Sequence, residues 1–139
     1  MDFQPYLFFS GNCEEALNFY KKLFDGEVAS IMRNKDAPSE GERDPAQGEK
    51  IMHSRFNSKT VNFMASDSRP GTKYGESRIS LSLEISDPNA AQAVFDGLAA
   101  GGTVEMPFSD TFWGAKFGML TDKFGIDWMV NCQLVPMQT

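Results

Sequence analysis

The first thirty residues alternate between apolar and polar positions in a pattern that predicts a strand, a helix and a second strand. A short apolar run predicts the first strand at residues 5–9. Apolar side chains then recur at helical spacing over residues 13–24, with Asn12 as the N-cap of a capping box. Gly26 ends the predicted helix, and residues 27–33 form the second strand.

Residues 34–49 are rich in Asp, Glu, Pro, Gly and Lys and have no hydrophobic period, so they are predicted to form a long surface loop. Loops of this length in small domains often cover a site. Two strands follow at residues 50–56 and 60–67, and the turn-forming residues 57–59 between them favour a hairpin.

The second half of the chain repeats this order of elements. Residues 77–85 predict another strand, and Asp87 followed by proline is a typical helix start. The interval from Asn12 to Asp87 is 75 positions, and the interval from Gly26 to Gly101 is also 75. Self-similarity at a constant spacing indicates a structural repeat.

The most aromatic part of the repeat, residues 108–131, predicts a second hairpin. Its two apolar segments flank the turn-forming residues 122–125, and it holds both tryptophans. Gly114 and Gly118 interrupt the first strand, where glycine usually marks a bulge or a close approach to the backbone. The chain is thus predicted to consist of two modules, each with the order strand, helix and three strands (βαβββ).

Length and composition fit one globular domain over residues 1–139, with the modules at about residues 3–67 and 77–133. The net charge of −6, with scattered basic residues, argues against nucleic acid as a partner. No apolar run reaches the roughly 18 to 20 residues of a membrane helix, and the start lacks signal-peptide features, so a cytoplasmic location is expected. Cys13 and Cys132 lack the spacing of a zinc site or a disulfide framework.

Three stretches of the sequence resemble a known family, namely GNCEEALNFYKKLF, VNFMASD and TFWGAKFGMLTDKFGIDWMVN. With the duplicated βαβββ unit, they resemble the vicinal oxygen chelate superfamily of glyoxalases, dioxygenases and bleomycin resistance proteins, and within it the PhnB-like branch. Members of that branch are often catalogued as 3-demethylubiquinone-9 3-methyltransferase domains. The resemblance implies an α+β fold, with curved mixed sheets that form a concave cavity, and often a dimer.

In the metal enzymes of that superfamily, the ligands lie on the first and last strands of each module. The corresponding positions here are Pro5 or Tyr6, Met64, Ser80 or Leu81, and Met129. None of them is His, Asp or Glu, so no metal is expected. The sequence also lacks a glycine-rich strand-to-helix turn for a nucleotide-like group, so no cofactor is expected.

The first hairpin carries polar candidates for ligand binding. With its turn at residues 57–60, His53 lies opposite Met64 and Arg55 opposite Asn62, and all four share one face. Since the resemblance places Met64 in the cavity, the other three are candidates for it as well. His53 is suited to proton transfer as a general base, and Arg55 to holding an anionic oxygen. The alternative is that His53 is a partly buried strand residue bonded to a neighbour.

The second hairpin supplies the remaining candidates for substrate binding. By strand parity, one face is predicted to carry Lys116, Gly118, Asp127, Met129 and Asn131. Trp113 lies near the mouth of this face, where it suits a ligand pocket, core packing or a dimer interface. Trp128 has the opposite parity and is predicted to pack in the core beneath the second helix.

These expectations favour a protein that binds a small organic molecule in a concave pocket, without a metal or cofactor, as a homodimer. One alternative is an enzyme of lyase, isomerase or hydrolase type with His53 as general base, or the methyltransferase of the family's catalogue name. A second alternative is a protein that sequesters a drug or metabolite.

Overall fold

Each half of the chain forms one helix and one four-stranded mixed sheet in the computed structural model, which describes residues 1–37 and 44–135. The halves are two compact units, Met1–Tyr74 and Gly75–Thr139. The boundary falls in the polar segment that separates the two predicted modules. The predicted α+β fold with tandem βαβββ repeats is confirmed.

The first unit contains the elements that its hydrophobic pattern predicted. They are β1 (Tyr6–Phe9), α1 (Cys13–Phe24), β2 (Glu27–Arg33), β3 (Ile51–Asn57) and β4 (Phe63–Asp67). The order in the sheet is β1-β4-β3-β2, with β1 parallel to β4 and the other neighbours antiparallel. Short 3-10 turns at Asn34–Asp36 and Pro45–Gln47 belong to the predicted long loop, of which residues 38–43 lie outside the described residues.

The second unit has the same topology. Its elements are β5 (Leu81–Glu84), α2 (Pro88–Ala99), β6 (Thr103–Asp110), β7 (Ala115–Thr121) and β8 (Asp127–Gln133). The order in the sheet is β5-β8-β7-β6, with β5 parallel to β8. The predicted aromatic hairpin is β7 with β8, and Gly125 in its turn has φ of +90°, a value that favours glycine. Within residues 1–37 and 44–135, no helix has the length and apolarity needed to cross a membrane.

The two helices begin by different means. Asp87 caps α2 as predicted, because its side chain accepts a hydrogen bond from a backbone N–H of the first turn at 3.0 Å. The side chain of Asn12 makes no capping bond, so the capping box predicted for α1 is wrong. Instead Asp67, at the end of β4, accepts a hydrogen bond from the N–H of Cys13 at 2.9 Å. A carboxylate from a distant strand thus satisfies a donor of the first helical turn.

The end of α1 agrees with the predicted range of residues 13–24. The helix stops at Phe24, and Asp25 rather than Gly26 takes the left-handed conformation, with φ of 50°. Gly26 is needed for a different reason. A Cβ at this position would lie 2.5 Å from the ring of Phe56 and 2.9 Å from the backbone oxygen of Asn57, so no larger residue fits without a shift of the neighbouring strand.

Each helix packs its apolar side against one face of its own sheet. In the first unit the ring of Tyr20 on α1 meets the ring of Phe63 edge-on at 5.7 Å. The buried side chains of this core include Phe9, Cys13, Ala16, Leu17, Tyr20, Phe56, Phe63 and Ala65. The matching core of the second unit includes Ala91, Phe95, Leu98, Leu120, Trp128 and Val130. Each fully buried large side chain contributes about 1.5–3 kcal/mol, so the helix-facing side of each sheet holds the unit together.

Candidate functional site

The face of the first sheet that points away from α1 is called here the first open face. Side chains alternate along a strand, and directly paired residues share a face. Phe56 and Phe63 pair on the α1 side. The first open face therefore carries Tyr6, Phe8, Ser30, Met32, His53, Arg55, Met64 and Ser66.

Tyr6 and His53 form a hydrogen-bonded pair on the first open face. The Tyr6 hydroxyl lies 3.2 Å from Nδ1 of His53, and the ring centroids are 5.8 Å apart. Phe8 stacks on Tyr6 with centroids 4.9 Å apart and is 53% exposed. A polar pair beside an exposed aromatic ring suits a small molecule that has both an apolar body and a polar group.

The predicted pairing of β3 with β4 is wrong by two residues. Arg55, rather than His53, lies opposite Met64. A shift of two residues keeps every side chain on the same face, so the prediction that these three residues share a face is confirmed. Asn62 precedes β4, and its side-chain oxygen accepts a hydrogen bond from the N–H of Ser58 at 3.1 Å. Its contact in the structure is therefore with the turn.

Arg55 extends from β3 between Ser30 on β2 and Met64 on β4. It is exposed, and within the described residues its side chain has no hydrogen bond or ion pair. A guanidinium group presents five N–H donors and no acceptor. The first open face thus offers an available cation beside the Tyr6–His53 pair.

Three of the five residues predicted to share a face in the second unit do so. Met129 pairs with Met119, and Asn131 pairs with Phe117. These residues and Asp127 lie on the face away from α2, called here the second open face. The sequence analysis missed Phe117 and Met119, which lie on this face. It chose Lys116 and Gly118 instead, which alternate with them along β7.

Lys116 and Gly118 lie on the α2 side of the second sheet. They pair with Cys132 and Val130, which are both buried. The Nζ atom of Lys116 is 5.4 Å from the centroid of the Phe108 ring, and a Cβ on Gly118 would lie 2.9 Å from the Phe108 backbone. The prediction that both share a face with the other three candidates is therefore wrong. Because faces alternate along a strand, a turn that differs by one residue from the assumed length exchanges them.

Two hydrogen bonds organise the polar side chains of the second open face. Thr121 donates its hydroxyl proton to Oδ1 of Asp127 at 2.6 Å. Asn131 donates from its side-chain amide to Oε2 of Glu84 at 2.8 Å. The predicted polar anchors of this face are therefore held in fixed positions by neighbouring strands.

The two tryptophans have different environments. Trp128 is 1% exposed and donates from Nε1 to Oδ2 of Asp122 at 2.9 Å, so its predicted core position is confirmed. Trp113 is 48% exposed and makes edge-on contacts with the rings of Phe112 and Phe117, at 5.0 and 6.1 Å. This aromatic cluster stands at the start of β7.

A cavity of about 420 Å³ lies beyond the end of β4 in the first unit. Its described lining consists of Asn34, Asp44, Gln47, Gly48, Met52, Asp67, Ser68, Arg69 and Pro70. Both carboxylate oxygens of Asp67 already accept backbone hydrogen bonds, from Cys13 and from Ile51. Asp44, the other acid of the lining, accepts a hydrogen bond from the N–H of Ala46 at 3.0 Å. Because both acids are already engaged in local hydrogen bonds, this cavity is a weaker candidate than the first open face.

Two titratable groups in α1 have shifted pKa values. A hydrogen bond from Arg33, with Nη2 at 2.6 Å from Oε2 of Glu14, lowers the pKa of that carboxyl. Burial, reinforced by the charge of Asp67, raises the pKa of the Cys13 thiol to about 12. Cys13 therefore stays protonated at neutral pH and lacks the thiolate character of a reactive cysteine.

The positions at which the superfamily holds its metal can now be read from strand pairing. In the first unit Tyr6 lies beside Met64, in agreement with the prediction. In the second unit Ser82 lies beside Met129, one or two positions later in the chain than the predicted Leu81 or Ser80. Hydroxyl and thioether groups do not supply the imidazole and carboxylate ligands of such a centre. Among the residues that the structure describes, no three His, Cys, Asp or Glu side chains are grouped to hold a metal ion. The residues present do not fit the superfamily's metal.

Two four-stranded mixed sheets, each with one helix and βαβββ order, define the glyoxalase-like fold. The glyoxylase/bleomycin resistance protein/dioxygenase domain from Frankia sp. EAN1pec has the same fold, with a TM-score of 0.65 at 13% identity over 96% of this chain and 97% of that one. The sequence model of the 3-demethylubiquinone-9 3-methyltransferase family matches residues 1–131. The chain belongs to this family, the PhnB-like branch of the vicinal oxygen chelate fold.

Individual relatives match over nearly their full length. YjdN from Escherichia coli K12 is 33% identical over an alignment of 139 positions, and this alignment covers 94% of this chain and 95% of YjdN. The crystal structure of PA1353 from Pseudomonas aeruginosa is 38% identical with a TM-score of 0.81, over 95% of this chain and 98% of that one. A putative 3-demethylubiquinone-9 3-methyltransferase, PhnB protein, from Bacillus cereus is 30% identical with a TM-score of 0.80, over 95% and 99% of the two chains. The family resemblance seen in the sequence is confirmed.

Proposed function

We propose that this protein binds a small organic molecule on the first open face. The observation that supports this most strongly is the Tyr6–His53 pair, a polar group set among exposed apolar side chains. Phe8 and Met32 on the same face are 53% and 46% exposed. Removing such surface from water is favourable by roughly 25 cal/mol per Å², and the polar pair then orients the ligand.

The second open face, in the second unit, is a separate candidate surface for ligand binding in this proposal. Met129 supplies an adaptable apolar surface, and Asp127 and Asn131 supply polar groups in fixed positions. Trp113 adds a half-exposed aromatic ring at the start of β7. Lys116 and Gly118 are left out because both lie on the α2 side.

Native mass spectrometry of the full chain, purified gently from its own cells, tests this function. We expect a retained organic mass on the wild-type protein and its loss in Phe8→Ala. Phe112→Ala, at an even more exposed phenylalanine of the second unit, is the matched control and should keep the mass. A wild-type protein that carries no organic mass, and gains none from a small-molecule extract of the same cells, would contradict the proposal.

A second candidate function is catalysis, of lyase, isomerase or hydrolase type, with His53 as general base. It is favoured by the hydrogen bond between the Tyr6 hydroxyl and Nδ1 of His53, since an oriented imidazole is a requirement for proton transfer. His53→Gln separates the two functions. An enzyme should lose turnover while it keeps ligand affinity, whereas a sequestering protein has no turnover to lose.

We also propose that two chains associate. Each sheet ends on two edge strands, β1 and β2 in the first unit and β5 and β6 in the second. Edge strands and exposed apolar side chains such as Phe112 favour pairing with another chain. Light scattering at micromolar concentration should give the mass of a dimer, and a monomeric mass would count against this proposal.

A further inference from the structure

We infer that the ligand of the first open face is a small organic anion with a flat apolar body, such as an aromatic carboxylate, and that His53 and Arg55 bind it as hydrogen-bond donors. The inference deepens the proposed function and rests on it. It depends on which ring nitrogen of His53 carries the proton.

The contact with Tyr6 determines which ring nitrogen of His53 carries the proton. A neutral imidazole has one N–H donor and one acceptor nitrogen. The Tyr6 hydroxyl lies 3.2 Å from Nδ1, and it has no other hydrogen-bond partner in the described part of the chain. A phenol hydroxyl is a better donor than acceptor, and the unprotonated nitrogen of a neutral imidazole is a good acceptor. The hydroxyl therefore donates to Nδ1, and the imidazole proton resides on Nε2.

With the proton on Nε2, His53 and Arg55 both present N–H groups outward. Neither Nε2 of His53 nor the Arg55 guanidinium bonds to a described residue. The two residues are two positions apart on β3, so their side chains leave the same face roughly 6–7 Å apart. Glu27, the nearest acid on this face by strand register, lies across from Asn57 at the end of β2 and forms no ion pair with Arg55 within the described residues.

Donors without acceptors select a ligand that has acceptors and negative charge. A carboxylate meets both conditions, and charge-assisted bonds to it are stronger than neutral ones. The body of the ligand is set by the neighbouring side chains. Tyr6 and Phe8 form a stacked aromatic pair, and Met32 is a flexible thioether beside His53. Flat aromatic groups pack well on such surfaces.

The same arrangement changes the role available to His53. An Nε2 that carries a proton is a donor to an oxygen atom, so this inference excludes the second candidate function, in which His53 is the general base. Tyr6 then has two roles, because its ring forms part of the surface for the ligand body and its hydroxyl positions the proton of His53.

Nitrogen-15 NMR of the full chain tests the tautomer directly. His53 is the one histidine among the 139 residues, so its two ring signals need no assignment by mutation. At alkaline pH, where a free imidazole is neutral, we expect an unprotonated Nδ1 and a protonated Nε2. Tyr6→Phe should mix the tautomers, whereas Tyr74→Phe, which removes a hydroxyl bonded to Ser68 in the same unit, should not. A protonated Nδ1 in the wild type would overturn the inference.

Paired probes of nearly equal shape test the charge. Benzoate should bind roughly ten- to hundredfold more tightly than benzamide, the range expected for charge-assisted hydrogen bonds, and should shift the His53 ring signals. Arg55→Gln should remove most of this difference, and Arg78→Gln, at an exposed arginine of the second unit, should preserve it. Equal affinity for both probes, or no response to benzoate at millimolar concentration, would refute the inference that the ligand is an anion. The proposed function would still stand in that case if native mass spectrometry shows a retained organic mass.

Discussion

Gly118→Ala measures whether this glycine faces α2 or the solvent. A Cβ at Gly118 would lie 2.6 Å from Cε2 of Phe95 on α2, and 2.9 and 3.0 Å from Cα and N of Phe108. The Phe108 atoms belong to the backbone of β6 and cannot turn aside as a side chain would. Overpacking of this kind costs about 1–3 kcal/mol. Alanine recovers about 0.5–1 kcal/mol through the lower backbone entropy of the unfolded chain, so we expect a net loss of about 1–2 kcal/mol.

Urea unfolding followed by circular dichroism gives the free energy of unfolding of each variant. With a slope of about 2 kcal/mol per M, the midpoint should fall by roughly 0.5–1 M. Gly75→Ala is the matched control, since nothing lies within 4 Å of a Cβ there and the residue lacks a left-handed φ. A Gly118→Ala protein as stable as the Gly75→Ala protein would refute the assignment of this residue to the α2 side.

Three further predictions concern buried and paired groups. Asp122→Ala should lower the free energy of unfolding by about 3 kcal/mol, because Nε1 of Trp128 and two backbone N–H groups lose their acceptor; urea unfolding measures the loss. Glu14→Gln should be less stable than the wild type at pH 7. Arg33 lowers the pKa of Glu14 in the folded state below its value of about 4.3 in the unfolded chain. The difference in stability between the wild type and the variant should therefore shrink as the pH falls below about 4.3 and through the lower folded pKa. Thermal melts over this pH range measure the difference. The Cys13 thiol, with a pKa of about 12, should react with Ellman's reagent at pH 8 only as fast as the chain unfolds.

The features that follow from local spacing were predictable from the sequence. The apolar period of α1 identified its buried side, including Tyr20, and Asp87 followed by proline identified the start of α2. The duplicated order of elements predicted two sheets of equal topology. Each of these depends on residues within a few positions of one another, where the chain's geometry leaves few alternatives.

Contacts between distant residues were not predictable in this way. Asp67 satisfies the first turn of α1 across 54 positions, and no local pattern connects it with Cys13. Tyr6 likewise meets His53 across 47 positions. A partial signal existed for Tyr6, since parallel pairing of the first and last strands in a βαβββ unit places it beside Met64. The candidate site therefore became complete only with the register of the sheet.

The two hairpins show why an error in pairing left the predicted face correct in the first unit and made it wrong for Lys116 and Gly118 in the second. In the first, the pairing was displaced by two residues, which moves side chains along a face without changing it. In the second, the face depends on whether the link between β7 and β8 has an odd or even number of residues. Asp122 fixes that link, because its side chain accepts the N–H groups of Phe124 and Ile126 and its backbone pairs with Ile126. A buried carboxylate in the turn thus decides that Met119, and not Gly118, reaches the open face.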